Sequence, residues 1–171
     1  MLRTFPVVPT SDQTLWAIAG IILLTMLAAI VIFLTTENHT KLIALIPLFV
    51  GGLFSHTAYA SRHSQVELSE DKLSIKGEYG RQIPIASLIC NRAEQISLSH
   101  SSLYKPKLRT NGTSLPGYLC GWFKLQNNEK ALICVTDSDR VVYLPTRDNY
   151  SLLISLANPE EFLQFLREIC S

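Results

Sequence analysis

Lys105, Lys107 and Arg109 alternate along "YKPKLRTNG", and no acid stands between Gln95 and Glu129. Cations two residues apart on an extended segment project to one side. There they can meet anionic headgroups, each contributing on the order of 1 kcal/mol near a charged surface. Three cations fall short of the roughly 4–8 of a dedicated lipid-binding cluster, so a solvated loop is the competing reading. The residues that follow carry turn chemistry, since Asn111-Gly112 and Pro116-Gly117 each fit a tight turn needing positive φ. They lead into Tyr118–Phe123, "YLCGWF", read as a strand whose Trp122 and Phe123 take opposite faces.

No catalytic constellation is legible. His39, His56, His63 and His100 share no i, i+4 face with a carboxylate, which excludes HExxH zinc chemistry. There is no Walker A loop and no GxSxG elbow, and "VGG" at Val50–Gly52 belongs to an apolar run, where small residues serve packing. The reading is a non-enzymatic chain with no metal and no cofactor. His56 lies inside the same apolar run; it is either a ligand-contacting group or a neutral imidazole reaching outward near the end of the segment. Gly51-Gly52 with Ser55 allow close helix approach, by self-packing or by oligomerisation. Cys90, Cys120, Cys134 and Cys170 show no CxxC spacing. Reduced, buried thiols in a cytoplasmic domain are expected, with disulfides in an exported domain as the alternative.

The elements that must position these residues divide the chain. Of its 171 residues, Leu15–Thr35 and Leu42–Ala60 are uncharged runs, each long enough for a hydrocarbon core of about 30 Å. Only "TENHTK" separates them, so they read as a transmembrane hairpin whose backbone groups are satisfied within helices. Pro47 and the Gly pair predict a kink in the second. "AYA" at Ala58–Ala60 resembles a signal-peptidase site, but it follows two apolar runs rather than one. Arg3 precedes the hairpin and Arg62 follows it, a weak positive-inside signal. Together with the thiol reading it places both termini in the cytoplasm and the chain in the inner membrane. The segments are then 1–14, 15–60 and 61–171.

From Ser61 onward 13 Lys/Arg balance 12 Asp/Glu, a near-neutral domain that does not suit nucleic acid. The pattern there is mostly β. "QVELS" and "KLSIKG" flank the turn "EDK". "YGRQIPI" reads as a third strand with Pro84 at an edge or end, and "AEQISLS" as a fourth. "YLCGWFKLQ", "KALICVTD" and "RVVYLPT" read as an antiparallel meander, and "YSLLISL" as one more short strand. The period then changes: Phe162, Leu163, Phe165, Leu166 and Ile169 form a helical stripe after an Asn158-Pro159-x-Glu161 start signal. Such a helix should pack on the sheet and close one end of a bent barrel or sandwich.

About seven strands and one C-terminal helix resemble the pleckstrin-homology (PH-like) fold. "YGRQIP" (Tyr79–Pro84), "RTNGTSLPGY" (Arg109–Tyr118), "GWFKL" (Gly121–Leu125), "ALICVTD" (Ala131–Asp137) and "VVYLPT" (Val141–Thr146) together resemble bacterial PH-domain membrane proteins. The resemblance covers about residues 12–168. It implies a membrane-anchored α+β chain, with a two-helix transmembrane hairpin before an antiparallel PH-like barrel, and it implies fold rather than chemistry. Three functional readings remain. One is a protein-interaction or scaffold module at the cytoplasmic face. A second is anionic lipid or small-ligand recognition through Lys105, Lys107 and Arg109. The third is an accessory subunit of a larger membrane complex, with another protein or a second copy as partner.

Overall fold

A computed structural model describes residues 2–36, 41–62, 64–100 and 103–170. The chain opens with a strand, β1 (Leu2–Pro6), ahead of two helices, α1 (Asp12–Thr35) and α2 (Leu45–Arg62). Ser11 caps α1, its Oγ accepting from the Thr14 N–H at 3.3 Å, with Asp12 favourably placed in the first turn. Both helices are long and apolar enough to cross a membrane. Their large side chains, Leu24, Leu34, Ile46 and Phe49 among them, are exposed, the reverse of a core helix in a soluble domain. Gly51 serves the pair's own packing: a Cβ there would stand 2.9 Å from Thr25 Oγ1, while Gly52 faces open space. Pro47 falls in the first turn of α2, where a missing N–H removes no intrahelical bond.

β2 (Gln65–Ser69), β3 (Lys72–Lys76) and β4 (Arg81–Pro84) follow. Ser69 Oγ accepts from the Lys72 N–H and stabilises the acidic turn between the first two. These strands and β1 form one antiparallel sheet in the order β1-β2-β3-β4. Pro84 ends an edge strand, where its missing N–H costs no ladder bond. β5 (Glu94–Ile96), β6 (Pro106–Leu115), β7 (Tyr118–Leu125), β8 (Lys130–Val135), β9 (Val141–Pro145) and β10 (Ser151–Ser155) build a second sheet in the order β5-β9-β10-β8-β7-β6. α3 (Pro159–Cys170) completes the domain.

The architecture corrects three expectations. Among the described residues, ten strands in two sheets replace about seven, and these form no closed barrel. The segment before α1, expected to stand apart, supplies β1, which pairs Phe5 with Val66; beyond it an isolated bridge, Val7↔Leu156, joins the two sheets. The meander is broken as well, because β10 inserts between β8 and β9, parallel to the first and antiparallel to the second. The physical reason lies in the unbroken apolar runs "ALICV", "VVYLP" and "SLLIS". Their residues are buried on both faces of the sheet, and strands of that kind take central positions.

One apolar core lies between the sheets, built from Phe5, Val66, Leu68, Leu73 and Ile83 against Leu132, Leu144, Leu152 and Ile154. α3 closes it with the predicted stripe, as Phe162, Leu163, Phe165 and Leu166 are all buried and Phe5 meets Phe162 edge-to-face at 5.2 Å. The outer face of the second sheet carries a further cluster around Phe123, Ile133 and Leu153, covered by Leu98 and Tyr104. A disulfide joins Cys90 to Cys170, 80 positions apart. The thiol expectation therefore holds only for Cys120 and Cys134. α3 docks its last turn beside the 3-10 turn Cys90–Arg92, leaving the two Cα atoms 6.4 Å apart, within bridging range.

Candidate functional site

The basic segment is not a loop. Pro106–Leu115 is a ten-residue strand at the edge of the second sheet, hairpinned to β7 through Pro116-Gly117. Only one of the two expected turns is therefore a turn. Gly112 lies inside the strand opposite Gly121, both at positive φ (153° and 125°). A Cβ on Gly121 would stand 2.4 Å from the Asn111 carbonyl oxygen, so the two backbones approach to a distance only glycine permits.

Lys105, Lys107 and Arg109 are all exposed at the start of this edge strand. Lys105 Nζ donates to the Ser99 carbonyl at 3.2 Å. The ladder shifts register between Pro106 and Leu108, and again between Arg109 and Asn111, so regular spacing in sequence does not carry over into regular spacing across the strand. Cations and bulges are also what blunts an exposed sheet edge against pairing with another chain. That gives the triad a structural explanation which a loop reading lacked.

The other end of the hairpin is fastened to the helices. Thr14 Oγ1 donates to the Pro116 carbonyl at 2.7 Å. Gly117, at φ +70°, leaves space for that hydroxyl, since a Cβ would lie 2.7 Å from Thr14 Oγ1. The β3–β4 turn meets the other helix in the same way: Gly77, at φ +145°, abuts Ser64 just beyond α2. Trp16 and Tyr59 stand outward at this end of the pair, 78% and 66% exposed, in the manner of interfacial aromatics.

Between the two sheets, the β3–β4 turn and β7–β8 enclose a cleft of about 300 Å³ lined by Glu78, Tyr79, Gly80, Arg81, Trp122 and Leu132. The Glu78 carboxylate accepts from Tyr118 OH at 2.8 Å and Thr113 Oγ1 at 2.9 Å. Trp122 carries two cations, with Lys130 Nζ 4.4 Å and the Arg81 guanidinium 5.6 Å from its ring centre. Arg81 also lies 5.5 Å from the Tyr150 ring, which in turn meets Trp122 edge-to-face at 5.2 Å. Lys124 stands directly across from Lys130. Alternation along β7 puts Trp122 and Lys124 on one face, but nothing in the sequence brings Arg81 to the same ring.

Deeper in, Cys120 and Cys134 oppose each other across β7 and β8 with their sulfurs 2.9 Å apart. The hydrogen bond to Cys120, followed by burial, pushes the Cys134 thiol well up from its ordinary value. Burial, then the Cys120 sulfur and the Glu78 carboxylate, push Tyr118 up. Burial and Glu78 also raise Tyr79, while the charge of Arg109 opposes the rise. These groups are thus held in their neutral forms and act as structural donors. His56 is exposed on α2 and His100 on the β5–β6 connection. His39 and His63 lie outside the described residues. Among the described residues no three His, Cys, Asp or Glu side chains gather in a metal-binding group.

A family model described as a bacterial PH domain matches residues 64–169. No curated protein and no solved structure matches the chain.

Proposed function

The chain belongs to the bacterial PH domain family, and from that premise we propose that it is a membrane-anchored, non-enzymatic binding or scaffold module. Its helices cross the bilayer as a hairpin, and its domain presents a protein-interaction surface at the membrane. The observation that carries the reading is the closure of the first sheet across the helical pair. β1 precedes α1, β2 follows α2, and the two pair from Leu2↔Ser69 to Pro6↔Gln65. A cleaved leader would take Phe5, Val7 and Val8 out of the domain with it, all three of them buried. A hairpin anchor leaves them in place and keeps both chain ends on one side.

The redox state of the cysteines bears on which side that is. A Cys90–Cys170 disulfide favours the oxidising face of the membrane, opposite to the cytoplasmic placement favoured by four thiols. Active periplasmic reporters fused at both ends would support the oxidising side. A reporter active at one end alone would overturn the shared-side hairpin.

Site-specific photocrosslinking tests the interaction surface. Leu103 and Leu108 are each 60% exposed on the basic edge, and a crosslinker at either should give discrete protein adducts in native membranes that a control at exposed Lys72 does not. Adducts to lipid alone would instead favour anionic-headgroup contact through Lys105, Lys107 and Arg109, which are exposed beside these leucines. Adducts at no position would sink both readings. Co-purification of a stoichiometric membrane partner in mild detergent would narrow the module to an accessory subunit.

A further inference from the structure

We propose that Cys120 and Cys134 are a thiol-oxidation site, a dithiol that hydrogen peroxide converts into a second disulfide across β7 and β8. The two residues face each other in the ladder, and their sulfurs lie 2.9 Å apart. Residues directly opposed in an antiparallel pair have Cα atoms about 4.5–5.5 Å apart, inside the roughly 4.4–6.8 Å that a disulfide spans. Bringing the sulfurs to about 2.05 Å therefore needs rotation of two side chains and no change of register. A buried cysteine serves an apolar core as a small hydrophobe, but packing does not require two of them in contact. The pair also lies where a cross-link has a mechanical consequence. Tyr118, two residues before Cys120, is bonded to Glu78, and the turn before it seats Pro116 on Thr14 of α1. β8 is an interior strand of the second sheet, so the bond fastens the hairpin that docks on α1 to the centre of that sheet.

The surroundings select the oxidant. Tyr118 completes the buried cluster around the two thiols, with Tyr79 and Leu115 packed against it, and Cys120 and Cys134 are only 2% and 8% exposed. Tyr79 also lines the cleft between the sheets and donates to Asn111 Oδ1 at 3.3 Å, which makes its ring the partition between the thiols and solvent. A disulfide-bearing protein cannot reach sulfurs so covered, whereas hydrogen peroxide is little larger than water. The hydrogen bond to Cys120, then burial, keep Cys134 protonated, so the reaction is slow and the dithiol persists until oxidant is supplied. Cys134, the more exposed of the two, reacts first. Its thiolate attacks one peroxide oxygen and the O–O bond breaks, leaving a sulfenic acid; the departing hydroxide takes up the proton the thiol gave and becomes water. The Cys120 sulfur then attacks the Cys134 sulfur. The S–S bond forms as the S–O bond breaks, and the hydroxyl leaves with the Cys120 proton as a second water. Two thiols lose two electrons and one peroxide gains them.

The test uses the full chain in nonionic micelles. Hydrogen peroxide treatment is followed by acid quenching, alkylation of free thiols in denaturant and tryptic digestion, which places Cys120 and Cys134 in separate peptides, 110–124 and 131–140. Mass spectrometry should find both cysteines alkylated before treatment and the two peptides joined after it. The Cys90–Cys170 link should be unchanged, and dithiothreitol should release 110–124 from 131–140. A chain already joined as purified, opened by dithiothreitol and rejoined by peroxide, supports the couple equally. Amide exchange at 118–121 should slow by up to about 100-fold in the joined form, the effect of closing a loop of about 15 residues. Cys120→Ser removes the resolving thiol, so peroxide should drive Cys134 on to sulfinic acid, which dithiothreitol does not reverse. Should that variant not fold, the digest of the parent chain decides alone. Cysteines still alkylated at peroxide concentrations that oxidise free cysteine would overturn the proposal, as would sulfinic acid at Cys134 in the parent or cross-links between copies in place of the internal bond.

Discussion

At its tip the β6–β7 hairpin is fastened to α1 and to Glu78 by partly buried contacts, whereas its open end presents an exposed sheet edge. Tyr118 is buried and bonded to Glu78, and Pro116-Gly117 seats on the first turn of α1. Farther along the same hairpin, Lys105, Lys107 and Arg109 are exposed beside a sheet edge broken by two register shifts. One end ties the domain to the helices. The other leaves a surface open. Glycine-rich and basic residues that look like a single functional loop in sequence thus serve two ends with different physical tasks.

The broadest test of this contrast is Phe162→Ala, which empties the centre of the core between the sheets. It should cost about 3–5 kcal/mol, and thermal unfolding of the full chain in micelles should lose both ends in one transition. A tip that outlasts the core would show the hairpin to be independently stable. Gly121→Ala comes next. It puts a Cβ 2.4 Å from the Asn111 oxygen at φ 125° and should cost about 2 kcal/mol or more. A variant that melts like the parent would mean that the close approach of β6 and β7 is dispensable.

Gly117→Val addresses the tip alone. With φ +70° and Thr14 Oγ1 in the way, it should cost about 1–2 kcal/mol. Hydrogen exchange should rise at residues 113–119 and not at 105–110; an even rise would erase the distinction between the two ends. The smallest effect on stability is expected from the Lys105/Lys107/Arg109 triple-alanine change, within about 0.5 kcal/mol. Its consequence should appear in sedimentation velocity as increased self-association through the unguarded edge. A variant that stays monodisperse would remove the edge-protection account.

Much of this was legible locally. The apolar helices follow from the length of their uncharged runs and the β2–β3 turn from its polar residues, while the stripe of α3 and the opposite faces of Trp122 and Phe123 follow from periods of 3.6 and 2 within a few residues. Asn111-Gly112 misled because glycine answers two needs, a turn and a close backbone approach, and only the partner strand shows which one applies. Lys107 misled for a similar reason, since a bulge is a property of two strands and cannot be read from one.

What the amino-acid sequence determined by itself is the type of each segment: which stretches are long and apolar enough for a membrane, which are extended, and which side chains share a face. Tertiary structure alone decided that β1 returns to β2 across both helices, that β10 enters between β8 and β9, that Cys90 meets Cys170, and that Arg81 and Lys130 each reach the Trp122 ring. The difference is physical. Periodicity records the burial of a residue relative to its near neighbours along the chain, whereas these pairings join residues separated by up to 80 positions, and they are settled by how the folded layers share one core.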